Sequence, residues 1–217
     1  FTSGGTEADN HAIKAAVSCL GVKRIITSAA EHSAVIKATQ QASDRHQLEL
    51  VHAQHHEDGQ VDMGHLAELL AGSEKKTLVS LMHANNEVGV MVDLARLSAL
   101  CREHGALLHS DTVQTMGHYP IDFNVVDVDF LACSAHKLHG PKGTGFLYVN
   151  PKLRIDGMIV GGGQERMLRG GTENVAGIVG LAEAFAAAFE HMAEHEAHVR
   201  AMKARMVQGL KKRVPGV

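Results

Sequence analysis

The 217-residue chain carries 45% hydrophobic and 21% charged residues, the balance of a globular protein with room for one sizeable core, or one core plus an appended helix. Its formal charge of -3 gives no electrostatic reason to expect nucleic acid or a membrane surface as partner. No apolar run approaches the roughly 18 residues needed to span a bilayer, and no signal-peptide pattern precedes the first motif.

In chain order, Gly4 and Gly5 lead into a helical pattern over residues 7–20. A strand at 25–27, a helix at 33–45, a strand at 48–51 and a helix at 63–70 follow, then a strand at 78–82 and a helix at 94–104. Further strands are predicted at 106–109, 130–133 and 145–149. The helices repeat apolar residues near i, i+3, i+4 and i+7, as in Leu94, Leu97, Leu100 and Cys101. Strands alternating with helices predict an α/β fold, a mainly parallel sheet with helices on both faces. Ligands of such folds bind in loops at the carboxyl ends of the strands. From residue 174 to 213 the pattern stays helical, interrupted weakly by Gly177 and Gly180, and a helix of that length more often connects two domains.

Three segments carry chemistry. Ser3-Gly4-Gly5-Thr6-Glu7 puts two glycines ahead of a helix, so its free N–H groups converge on one spot; a phosphate site and a plain helix start both fit. His109-Ser110-Asp111-Thr112-Val113-Gln114 follows a strand, so Asp111 is either a structural cap or a carboxylate able to keep a ring nitrogen protonated. Ser134-Ala135-His136-Lys137 also follows a strand, before a Gly140-Pro141 turn. A lysine in that setting is a candidate Schiff-base nucleophile, whereas Lys142 reads as a solvated loop lysine.

The remaining reactive types are less informative. Cys19, Cys101 and Cys133 lack metal-ligand spacing, argue against a disulfide framework and predict a reducing, cytoplasmic setting. All three are read as core residues. The 16 histidines include a group at 191, 195 and 198 and another at 52, 55 and 56, but neither matches a metal motif, and no metal is expected.

Together the segments resemble the class V aminotransferase group of fold-type I pyridoxal-phosphate enzymes, and within it the cysteine desulfurases of NifS/IscS type. The resemblance runs through Ser3-Gly4-Gly5-Thr6-Glu7-Ala8 with Asn10, Glu31-His32-Ser33-Ala34-Val35 and His83-Ala84-Asn85-Asn86-Glu87-Val88-Gly89. It continues through Asp111-Thr112-Val113-Gln114, the string from Ser134 to Gly143, and the string from Gly161 to Asn174, all in family order. Gly5 stands where the family usually has Ala, a change expected to leave a phosphate-binding backbone undisturbed.

The resemblance implies the fold of the aspartate-aminotransferase-like large domain, and pyridoxal 5'-phosphate as cofactor. Lys137 would be the Schiff-base lysine and carrier of the substrate's Cα proton, and Asp111 the partner of the pyridine nitrogen. His32 would stack on the ring and take part in proton transfer. Gln114 would contact the phenolic oxygen, with Asn86 beside it near the substrate carboxylate. Gly5, Thr6, Ser134 and His136 would hold the phosphate. Thr172 would reach the phosphate of a neighbouring subunit, which implies a homodimer. The implied substrate is L-cysteine, converted to L-alanine with sulfur passed through an enzyme persulfide to a scaffold protein for Fe–S cluster or cofactor assembly.

The chain starts at Phe1 inside a motif, so residues 1–173 are expected to be a cofactor-binding large domain incomplete at its N-terminus. Residues 174–217 would be a long helix leading to a C-terminal small domain outside this chain, together with the nucleophilic cysteine and the carboxylate-binding arginine. Selenocysteine lyase, a class V aminotransferase and a non-catalytic cofactor-binding or dimerisation module remain open alternatives.

Overall fold

Alternation along the strands sorts apolar side chains onto two faces, and each face is covered by its own helices. In the computed structural model, which describes residues 1–215, the strands are β1 (Arg24–Ser28), β2 (Glu49–Ala53), β3 (Thr77–Ser80), β4 (Leu107–Asp111), β5 (Phe130–Ser134) and β6 (Gly145–Val149). They form one sheet in the order β2-β1-β3-β4-β5-β6. Every neighbouring pair is parallel except β5 and β6, whose antiparallel register sets Ser134 against Gly145.

Helices α1 (Gly5–Ser18) and α2 (Ser33–His46) cover one face, packing Ile13, Ala16 and Val35 with Ile25, Leu78, Leu107 and Phe130. Helices α3 (Met63–Ala71) and α4 (Leu94–Glu103) cover the other, packing Leu66, Leu97 and Cys101 with Ile26, Val79, Leu108, Leu131 and Cys133. Successive residues thus point to opposite helical layers, as a doubly covered sheet requires. Asp62 and Asp93 cap α3 and α4 by accepting from the first-turn N–H groups, which fixes where each helix starts.

The unbroken helix expected over residues 174–213 is instead two helices, α5 (Val175–Glu190) and α6 (Met192–Arg213), bent by 69° at His191. The physical cause is a difference in environment. Helix α5 is apolar, with Leu181 buried in the core and Ala184 and Phe185 packed against it, whereas no residue of α6 is buried. Gly177 and Gly180 do not break the helix; they let α5 lie against Thr144 and Pro141, where a methyl group would approach to 2.3 and 3.1 Å. Among the described residues no single helix is long and apolar enough to cross a membrane.

Candidate active site

The start of α1 is left open. Gly4, at φ 147°, precedes it, and no side chain caps it, so the first-turn N–H groups have no intrahelical acceptor. Gly5 and Thr6 line a cavity of about 300 Å³. Glu7 turns away from that opening: its Oε2 accepts from Ser3 N at 3.0 Å, and its Oε1 pairs with Arg169 Nε at 3.0 Å. Burial disfavours the Glu7 charge, but the bonds from Arg169 and Ser3 together outweigh it and hold the carboxyl below its usual range.

Strands β4 and β5 end on the same cavity. Asp111, the last residue of β4, is buried and accepts from Val113 N at 2.8 Å. Burial, and next the neighbouring Asp9, push its carboxyl up to about 7, against the opposing pull of the Val113 N–H, His109 and Lys137. Ser134, the last residue of β5, places its Oγ 2.9 Å from His136 Nδ1. A single 3-10 turn, Ala135–Leu138, then carries Lys137 into the lining. That turn is tied down twice: Ala135 N donates to Thr144 O at 3.0 Å, and His118 Nε2 donates to the Lys137 carbonyl at 3.0 Å. The Lys137 ammonium itself has no hydrogen bond or ion pair among the described residues.

The other walls come from the loops after β1 and β3. His32 caps α2, its Nδ1 accepting from Ala34 N at 3.2 Å, so in the neutral ring the hydrogen sits on Nε2. Asn85 braces the loop after β3: its Nδ2 donates to Ala30 O at 2.6 Å, and its Oδ1 accepts from Glu87 N and Val88 N at 2.8 Å each. This sets Asn86 on the cavity beside Met82, with Gln114 joining from the loop after β4.

Gly5, Thr6, His32, Asn86, Asp111, Gln114, Ser134, His136 and Lys137 therefore share one cavity. Thr172 does not join them; it is exposed, in a separate depression with Phe1, Glu165 and Arg169. Asp9, Met82 and Val113 also line the cavity and were not singled out from the sequence. Asp9 had a visible signal, a carboxylate at the head of the apolar row Ile13-Val17 on α1.

None of the three cysteines faces the cavity. Cys133 packs on the sheet face away from α1, and burial pushes its thiol and that of Cys101 up to about 12. Cys19 lies just past the far end of α1, its Sγ 3.8 Å from Asp156 Oδ2.

One cavity thus offers an open helix start with Ser134 and His136 for an anion, a buried carboxylate for a protonated nitrogen, and an unpaired lysine amine. That donor set fits pyridoxal 5'-phosphate, which carries a phosphate, a ring nitrogen and an aldehyde.

Comparison with known proteins agrees with this chemistry. The family model for Aminotransferase class-V matches residues 1–217. Cysteine desulfurase IscS of Histophilus somni is 41% identical over 215 residues, covering 97% of this chain and 52% of the relative. Its counterpart in Klebsiella pneumoniae is 43% identical over 216 residues, again covering 97% and 52%. Among solved structures, a NifS-like protein has a TM-score of 0.92 at 36% identity, covering 97% of this chain and 58% of that one. The NifS-like protein from Rickettsia africae gives 0.90 at 34% identity, covering 98% and 57%. The chain spans about half the length of the curated relatives it matches. Sheet order, cavity residues and these matches place one conclusion beyond the individual observations: the chain belongs to the class V aminotransferase family.

Proposed function

We propose that this chain is the cofactor-binding part of a pyridoxal-phosphate-dependent cysteine desulfurase, which takes sulfur from L-cysteine, leaves L-alanine and passes the sulfur on through an enzyme persulfide. The observation that carries the reading is a single cavity holding the open start of α1, Lys137 and the buried carboxylate of Asp111. The names of the curated relatives support the choice of substrate.

In this reading the N–H groups of Gly5 and Thr6, the Ser134 hydroxyl and His136 take the phosphate. Asp111 would hold a proton on the ring nitrogen, since a cation there would relieve the cost of ionising a buried carboxyl. His32 would stack on the ring, Gln114 would bind the phenolic oxygen, and Asn86 would take its place near the substrate carboxylate. When bound, the cofactor supplies an electron-withdrawing ring that makes the substrate's Cα–H acidic. The Lys137 amine would hold the cofactor and carry the Cα proton, with His32 Nε2 as a second proton carrier.

The sulfur-accepting cysteine is supplied by a segment outside these residues, since Cys19, Cys101 and Cys133 all lie away from the cavity. So is the arginine for the substrate carboxylate, and residues 174–217 form the connection from the large domain, residues 1–173, toward that segment. Thr172 serves the cavity of a second copy in a homodimer. Exposed Val160, Met167, Val175 and Val179 in the same stretch offer apolar surface for that contact. The sulfur goes to a scaffold protein for Fe–S cluster or cofactor assembly in the cytoplasm.

The test is the fate of L-cysteine with the complete gene product and pyridoxal phosphate. Alanine with an equal amount of protein-bound sulfur supports the reading. A 2-oxo acid in place of alanine contradicts it.

A further inference from the structure

Beneath the cavity, on the sheet face covered by α1, three polar side chains are fully enclosed. Ser80 on β3 sets its Oγ 2.8 Å from His109 Nδ1 on β4. His109 Nε2 lies 3.4 Å from Oδ1 of Asp9 on α1, with both residues at 1% exposure or less. Apart from this approach, neither facing atom has a hydrogen-bond partner among the described residues. Two residues along β4, and on the same face, comes Asp111. Asp9 is one helical turn beyond Gly5, so it reaches the cavity wall as well as His109.

A carboxylate in that position needs a reason. Burying a charge is costly unless something nearby uses it, and a hydrophobic residue would extend the buried Ile13-Val17 row without that cost. We propose that Asp9, braced by His109 and through it by Ser80, is a positioning residue that acts through Asp111, setting a second carboxyl group at this end of the cavity so that it selects a protonated ring nitrogen. The inference rests on the cofactor reading above and deepens it, because it assigns the preference for a charged over a neutral ring to two carboxylates.

The groups that act on Asp111 come from every element around it. They are Asp9 on α1, the Val113 N–H, His109 on β4 and Lys137 after β5, while Asp111 in turn bears on Glu31 in the loop after β1 and on Cys133 of β5. Burial is the largest cause of the raised Asp111 carboxyl and Asp9 the next. Removing the Asp9 charge must therefore lower the titration of Asp111 without returning it to the ordinary carboxylate range.

Two measurements test this. The first needs no cofactor: carboxyl ¹³C NMR of the aspartate-labelled 217-residue chain, with the Asp111 signal assigned through Asp111→Asn. Asp9→Asn should move the Asp111 midpoint down from about 7 by about one pH unit, a ten-fold change in proton affinity. The second compares binding of pyridoxal phosphate with binding of its carbocyclic analogue lacking the ring nitrogen, at a pH where Asp111 is ionised in both proteins. Asp9→Asn should reduce the preference for the nitrogen ring by about ten-fold. If Asp9→Asn does not fold, Asp9→Ser removes the same charge while leaving a hydroxyl for His109, and should give the same shifts. A folded variant with an unmoved Asp111 midpoint and an unchanged ring preference overturns the proposal. Failure of the cofactor reading would show differently, as absence of pyridoxal phosphate from Lys137 in the wild-type protein.

Discussion

A methyl group placed on Gly5 would lie 2.6 Å from Cγ2 of Val113. The two residues face each other from the start of α1 and the loop after β4, and both line the cavity. Valine is β-branched and stiff about χ1, so Val113 cannot swing aside cheaply. Gly5 and Val113 are therefore matched, and Ala is not a neutral exchange for Gly at position 5 in this chain. Gly5→Ala should destabilise the fold by about 1–3 kcal/mol through overpacking. Adding Val113→Ala should recover most of that loss. Urea unfolding of the two single variants and the pair checks this; strictly additive effects would show that the residues are not coupled.

The Asp111 carboxyl ties stability to pH. Its folded pKa of about 7 lies above the ordinary carboxylate value, so the folded state binds the proton more tightly than the unfolded one. The associated stability is fully present near pH 4 and below, and is lost as pH rises through 7. Cofactor-free Asp111→Asn should thus melt above the wild type at pH 8 and close to it at pH 4. The same substitution should weaken pyridoxal phosphate binding by at least about ten-fold, because the neutral amide cannot hold the ring nitrogen's proton. Equal melting at pH 8 together with unchanged binding would reduce Asp111 to a structural cap.

Glu31 gives a second pH signature, over a wider window. Burial chiefly, with Asp111 and Asp9 adding repulsion, pushes its carboxyl up to about 8 despite the bond it accepts from Met82 N at 2.9 Å. Stability from Glu31 is present below the ordinary glutamate pKa and is lost as pH rises through about 8. Glu31→Gln keeps an acceptor for Met82 N and cannot ionise, so its melting temperature should fall less than the wild type's between pH 5 and 9. Parallel curves for the two proteins would contradict the assignment.

The cysteines predict a pattern of labelling. Cys101 and Cys133 are enclosed, with thiols raised to about 12, and a native-state alkylating reagent should modify Cys19 before either. Cys19 and the cavity lie at opposite ends of α1, about 20 Å apart along a 14-residue helix. The 217-residue chain given pyridoxal phosphate and L-cysteine should acquire no persulfide. Mass spectrometric detection of one on Cys133 would assign to this chain the nucleophile that the reading places elsewhere.

The order of strands and helices was legible in the sequence because apolar runs alternate at period two and at period 3.6, with polar punctuation between them. The predicted strand at 78–82 ends at Ser80, although Leu81 stays in the core with its N–H still bonded to His109 O, and only Met82 reaches the cavity. The bend at His191 was not legible: helical periodicity continues through residue 191, and the break reflects packing of α5 on distant parts of the chain. The candidate site was legible where chemistry follows a strand end, as at Asp111 and Lys137. Asp9 escaped because a carboxylate on a helix ordinarily faces water, and only the packing of α1 on β4 turns it inward. Val113 escaped for a related reason, since its meaning depends on Gly5, far away in sequence.

The central claim is that Lys137 is the residue that binds pyridoxal phosphate covalently. The direct measurement is borohydride reduction of the protein incubated with pyridoxal phosphate, followed by peptide mapping. The account predicts one stable label on Lys137, lost in Lys137→Ala and retained in Lys142→Ala. A label on Lys142, or a protein that holds the cofactor without any label at Lys137, would contradict it.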